Sequence, residues 1–127
     1  MVEDQLIIQR VHGIFLRKMG YQVDIAINGQ QTLDKCLNCT YNLIILDAGL
    51  PDMQGVEVGK KIRILEKNNK TNRMPIILLS AYPVNNLKKW CQEAEIDNFS
   101  TKPIPYKDLY IMLENIFNQK PVNNEMI

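Results

Sequence analysis

Leu43-Ile44-Ile45-Leu46 is an unbroken apolar run, rich in branched side chains and closed by Asp47, Gly49, Pro51, Asp52 and Gly55. A run so short, bounded by turn formers, reads as a strand covered on both faces. Pro75-Ile76-Ile77-Leu78-Leu79 repeats the pattern and ends on Ser80-Ala81. Strands hidden on both faces need helices on both sides, and the stretches between the runs carry helical periodicity.

In chain order, Met1-Val2 reads as the tail of a strand running into Glu3-Asp4. Ile8, Val11, Ile14, Phe15 and Met19 then mark a helix over 6–19, stopped by Gly20. Tyr21, Val23, Ile25 and Ile27 alternate with polar or small residues and predict a second strand. Asn28 is placed to cap a helix over 30–39, with Leu33 and Leu37 inward. Beyond the loop after Asp47, a helix over 56–67 buries Val58, Ile62 and Leu65 and turns Lys60, Lys61, Arg63 and Lys67 to solvent, with Glu57 and Glu66 among them. Asn85 or Asn86 caps a helix reaching Glu95, with Leu87, Trp90, Cys91 and Ala94 at helical spacing. A short strand over 96–101 leads to Lys102-Pro103, and a final helix over 106–117 carries Leu109, Met112, Leu113 and Ile116. The expectation is one domain over 1–117, then a polar tail over 118–127.

Five strands alternating with five helices predict a doubly wound α/β parallel sheet. Right-handed crossovers put every strand's carboxyl end on one rim. Glu3-Asp4, Asp47, Ser80 and Lys102 each fall just past a predicted strand, so they meet there. Singly, each has an ordinary explanation: Asp47 can cap its loop, Ser80 can open a helix, and Lys102 can be a surface lysine. Together they have a shared chemistry. Three carboxylates repel unless a cation lies among them, and oxygen-only ligands suit Mg²⁺. A lysine and a hydroxyl beside a strand-end carboxylate suit attack by Asp47 on phosphorus.

Composition excludes several classes. A net charge of +1 on 127 residues gives no electrostatic case for direct nucleic-acid binding or for an anionic membrane. No apolar run reaches membrane-spanning length, which makes a cytoplasmic location the expectation. The three cysteines, Cys36, Cys39 and Cys91, are odd in number. Cys36-x-x-Cys39 ends a helical pattern and has no other ligands nearby, so helix packing is the reading for it.

Glu3-Asp4, the L-D-A-G-L-P-D-M-Q-G around Asp47, L-L-S-A around Ser80, and Phe99-x-x-Lys102-Pro103 together resemble the response regulator receiver domain of two-component signal transduction. The resemblance runs over nearly the whole chain, in order and spacing. It implies a flavodoxin-like five-stranded sheet in order 2-1-3-4-5. It further implies a phosphoryl group taken by Asp47 from a histidine kinase or histidine phosphotransfer partner. Mg²⁺ would be held by Asp4, Asp47 and the Gly49 carbonyl with help from Glu3; Ser80 and Phe99 would be the switch pair, and Lys102 would contact the phosphate. Gly49 and Tyr82 would flank the approach of hydrolytic water.

The Val-Glu-Asp opening and the Leu-Pro-Asp-Met-x-Gly loop are most similar to receivers of hybrid sensor kinases. With only Met1 and Val2 ahead of Glu3, the first strand is expected to be truncated. No independent enzyme is expected beyond self-phosphorylation from a donor and slow self-dephosphorylation. A homodimer through the last two helices is compatible with the resemblance. The competing readings are an Asp-nucleophile phosphatase, which would want a second acid where Gly49 stands, a flavodoxin-like redox protein, and a degenerate receiver acting only as a binding module.

Overall fold

The computed structural model describes residues 1–3, 5–81 and 86–118. The predicted Asp4 ligand, the Tyr82 flank and the tail from 119 onward lie outside these. The elements in order are α1 (Leu6–Lys18), α2 (Gly29–Asn38), β1 (Ile44–Asp47), α3 (Gly55–Asn69), β2 (Ile76–Ser80), α4 (Leu87–Glu93), β3 (Asn98–Thr101) and α5 (Tyr106–Asn118).

The three strands form a parallel sheet in the order β1-β2-β3, with Ile44 opposite Ile76 and Leu78 opposite Phe99. Every residue of β1 and β2 is buried. Alternation splits them between two cores. Ile44, Leu46, Ile76 and Leu78 join Val58, Ile62, Leu87 and Cys91 of α3 and α4 on one face. Ile45, Ile77 and Leu79 join Leu16 of α1 and Leu109 and Leu113 of α5 on the other. Each such side chain contributes about 1.5–3 kcal/mol through the apolar surface it removes from water.

Two of the five expected strands are reduced to single bridges. Val2 pairs in parallel with both Ala26 and Leu46, so the spatial order is the Ala26 segment, Val2, β1, β2, β3. That is the predicted 2-1-3-4-5 order. The alternation of Tyr21–Ile27 does not become a strand, because only Met1 and Val2 lie beside it to share a ladder: the Ala26 N–H donates to the Met1 carbonyl, and the Glu3 N–H to that of Ala26.

Several side chains depart from the sequence reading. Ile14 of α1 is exposed, and His12, Gly13 and Leu16 take the buried line instead. Leu37 and Trp90, expected inward, are exposed, whereas Arg63 and Glu66, expected outward, are buried. Their burial has a polar cause. The Arg63 guanidinium reaches Glu66 at 2.8 Å, Asp97 at 3.2 Å and the Met74 and Glu95 carbonyls, while the Met74 N–H donates to Glu66. Charges buried among that many partners are tolerated. Helix α2 begins as expected, with the Asn28 side chain accepting from the Gln31 N–H at 2.8 Å.

Gly55 is required by packing. Its N–H donates to the Ala48 carbonyl at 2.7 Å, and a Cβ there would collide with the Asp47 carbonyl and the Ala48 Cα. Gly55→Ala is therefore expected to lower stability by about 1–3 kcal/mol, since the obstruction is backbone and must shift as a unit. Urea unfolding of parent and variant measures it; an unchanged midpoint would show that the loop yields freely.

Candidate functional site

The carboxyl ends of Val2, β1, β2 and β3 meet on one rim. Val2 carries Glu3 there through two ladder bonds to β1: its N–H donates to the Ile45 carbonyl at 2.7 Å, and the Asp47 N–H donates to its carbonyl at 3.1 Å. Lys102 is tied to the end of β2 by its N–H, which donates to the Ser80 carbonyl at 2.8 Å. The sheet thus brings Glu3, Asp47, Ser80 and Lys102 together, and all four are almost wholly buried.

Lys102 Nζ lies 2.8 Å from Asp47 Oδ2 and 3.1 Å from Glu3 Oε2. Glu3 also accepts from the Gln5 N–H, and Asp47 Oδ1 from the Gly49 N–H at 3.1 Å. Asp47 Oδ2 is different. It faces the ammonium but receives no directed hydrogen bond among the described residues, and it is buried. Burial pushes the Glu3 carboxyl above its ordinary pKa, with the neighbouring Asp47 charge acting in the same direction. Burial alone would lower that of Lys102; the Asp47 and Glu3 carboxylates outweigh it and hold the ammonium above its usual range. Two buried carboxylates share one lysine, so the cluster carries an excess negative charge.

Gly49 stands at the mouth of the site, with open space where a side chain would project. Ser80 occupies the end of β2 beside Thr101 in register. Phe99, on β3, is 37% exposed, unlike these buried groups. Among the described residues no three His, Cys, Asp or Glu side chains cluster as a ready metal cage. Cys36 and Cys39 are free thiols, and burial lifts the Cys36 thiol to about 11, which keeps it protonated.

Two positioning residues were not foreseen in the sequence. Asp52 accepts from the Gly29 and Gln30 N–H groups at the start of α2, at 2.7 and 2.9 Å, and so ties the loop after Asp47 to a second helix. Those N–H donors hold its carboxyl below the usual range. No local signal could have shown this, because the partners lie 22 and 23 residues away.

The second is His12. Buried on α1, it accepts from the Ile104 N–H at 3.1 Å through Nε2 and so anchors the turn that carries Lys102. That bond needs a neutral ring. Burial, with Lys102 nearby, lowers the His12 pKa. Below its ordinary value near 6.5, the unfolded chain takes up a proton that the folded chain refuses, so stability falls as pH drops from about 6.5 toward the folded value. His12→Gln, which keeps an acceptor in a similar place, should remove that part of the pH dependence. Matching slopes for parent and variant in unfolding between pH 5 and pH 7 would contradict it.

Comparison with known proteins agrees with this architecture. The model of the response regulator receiver domain matches residues 1–114. Hybrid signal transduction histidine kinase K of Dictyostelium discoideum is 32% identical over 127 residues, covering 97% of this chain but 10% of that kinase. The receiver domain of the Pseudomonas aeruginosa sensor histidine kinase PA1611, described with a magnesium ion coordinated in its active-site cleft, superposes with a TM-score of 0.78 at 29% identity. It covers 90% of this chain and 91% of that one. A chain in the co-crystal structure of the Saccharomyces cerevisiae histidine phosphotransfer signaling protein Ypd1 with the receiver domain of its downstream response regulator Ssk1 gives 0.80 at 28% identity, covering 96% and 87%. These matches set aside the phosphatase and redox readings. The chain belongs to the response regulator receiver domain family.

Proposed function

We propose that Asp47 accepts a phosphoryl group from a phosphohistidine, on a histidine kinase or a histidine phosphotransfer protein, and that the phosphorylated form presents an altered protein-binding surface. The observation that carries this reading is the buried Asp47 carboxylate, with Oδ2 outside any directed hydrogen bond and Lys102 2.8 Å away. An oxygen held by the lysine ammonium alone keeps a lone pair for phosphorus. In the transfer, an Asp47 oxygen forms the new P–O bond as the donor's P–N bond breaks, and the leaving imidazole takes up a proton. Lys102 then pairs with a phosphoryl oxygen.

The donor set fits Mg²⁺: hard oxygens, an excess of negative charge and an orphaned carboxylate oxygen. Asp47, the Gly49 carbonyl and Asp4 would hold it, with Glu3 assisting. Bound there, the ion would neutralise charge on the incoming phosphoryl group. The PA1611 receiver with its magnesium supports this, and the Ypd1–Ssk1 complex supports a phosphotransfer protein as partner. The chain spans a tenth of the first hybrid kinase it matches, so membership in such a kinase is part of the proposal.

After phosphorylation the Ser80 hydroxyl turns to a phosphoryl oxygen and Phe99 moves inward, a packing change between two discrete arrangements. The surface altered lies on α4 and α5, where Trp90, Tyr110 and Ile111 are exposed and a homodimer could form. The test is incubation with a phosphorylated histidine phosphotransfer protein and Mg²⁺. The chain should gain one phosphoryl group by intact mass, and a chelator should suppress the gain. Equal labelling with and without Mg²⁺ would reject the metal assignment, and no labelling would leave a receiver used only for binding.

A further inference from the structure

The loop between β1 and α3 is fastened at its base and again at its tip. At the base the Ala48 N–H donates to the Leu79 carbonyl at 2.8 Å and the Gly55 N–H to the Ala48 carbonyl, while Gly49 pairs with Gln54 in an antiparallel bridge. Leu50 is buried in the core shared by α3 and α4, and Met53 packs against that core. Apolar burial is non-directional, so these two side chains hold the loop down without fixing where its tip lies along the surface.

Direction comes from Asp52. Both of its oxygens are engaged on α2, Oδ1 by the Gly29 N–H at 2.7 Å and Oδ2 by the Gln30 N–H at 2.9 Å. A carboxylate suits that place, where the helix carries partial positive charge. Among the described residues no other hydrogen bond joins residues 50–53 to another element. The receiving end is itself rigid. Asn28 caps α2 through the Gln31 N–H, and the Thr32 hydroxyl donates to the Asn28 carbonyl at 2.8 Å. Gly29 lets the tip come close, because a Cβ there would meet Met53 Cγ and Sδ. An exposed aspartate ordinarily leaves its oxygens to water; one that gives both to a helix more than twenty residues away fixes a position.

We propose that Asp52 is a positioning residue for the Mg²⁺-dependent transfer: by clamping the loop tip to α2 it sets where the Gly49 carbonyl stands relative to Asp47. The proposal rests on the phosphoacceptor reading of Asp47. The loop passes the position of its tip to its base, since Gly49 is paired across it with Gln54 and donates its N–H to Asp47 Oδ1 at 3.1 Å. Mg²⁺ demands near-ideal octahedral oxygens, so a carbonyl on a loosened loop holds it less well. Asp52 acts through the backbone, with both oxygens remaining on α2.

The test compares the parent with Asp52→Ala and Asp52→Asn. Amide shifts are followed during titration with Mg²⁺, and they report folding as well. Labelling of Asp47 by a small-molecule phosphodonor is then measured across Mg²⁺ concentrations. Asp52→Ala should weaken Mg²⁺ binding about tenfold, the lower end of what losing a ligand's outer support costs. Asp52→Asn keeps one acceptor oxygen and should weaken it about threefold, half the effect in free energy. Labelling should need correspondingly more Mg²⁺ to reach half its maximal rate, with the maximal rate itself within about twofold of the parent. Unchanged Mg²⁺ affinity in Asp52→Ala, beside a parent that binds and is labelled, overturns the proposal and leaves Asp47 as the acceptor. Equal weakening by both variants that vanishes in about 0.5 M potassium chloride would make Asp52 a through-space charge and not a clamp, which also overturns it. A parent that neither binds Mg²⁺ nor takes label would refute the acceptor reading, and this inference with it.

Discussion

Lys102→Ala should destabilise the Mg²⁺-free protein by about 3–5 kcal/mol, the cost of leaving a buried pair without one partner. The side chain is 4% exposed and lies between Glu3 and Asp47, which are each 2% exposed. Without the ammonium, two carboxylates face each other with little water to screen them. One must take up a proton, and Glu3, already raised by burial, is the one expected to do so. Mg²⁺ should therefore restore more stability to the variant than to the parent. Denaturant unfolding with and without Mg²⁺ measures both effects. A midpoint that hardly moves would mean that Lys102 holds no buried charge in place.

Asp47→Asn should act in the opposite direction on stability while abolishing phosphorylation. The amide removes one of two negative charges that share one lysine, leaving Glu3 and Lys102 as a matched pair. It also replaces an orphaned Oδ2 with a group that needs no counter-charge. The Mg²⁺-free variant should equal or exceed the parent in stability, and the response of stability to Mg²⁺ should shrink. An acid at the end of a buried strand that weakens its own fold is the signature of a group kept for chemistry rather than for packing. A variant that unfolds more readily than the parent without Mg²⁺ would place Asp47 among the structural ion pairs instead.

How far the sequence foretold these features follows from the range of the interactions. The two apolar runs made β1 and β2 legible, because burial on both faces leaves a short run of branched apolar residues that the flanking turn formers mark off from a helix. The rim residues followed from strand ends alone, and the structure brings Glu3, Asp47, Ser80 and Lys102 together as expected. Tyr21–Ile27 failed as a strand because its alternation is local while its ladder depends on a partner that supplies two residues. Arg63 read as solvated because its partners at Asp97 and Glu95 lie more than thirty residues away. Asp52 and His12 were missed for the same reason: the N–H groups they receive come from another part of the chain.

The most direct test of the account is the site of phosphorylation. The chain is incubated with a small-molecule phosphodonor and Mg²⁺, its mass is read intact, and the labelled residue is mapped beside Asp47→Asn. The account predicts one phosphoryl group on Asp47 in the parent and none in the variant. Label that persists in Asp47→Asn, or that maps mainly to Asp52, would contradict it.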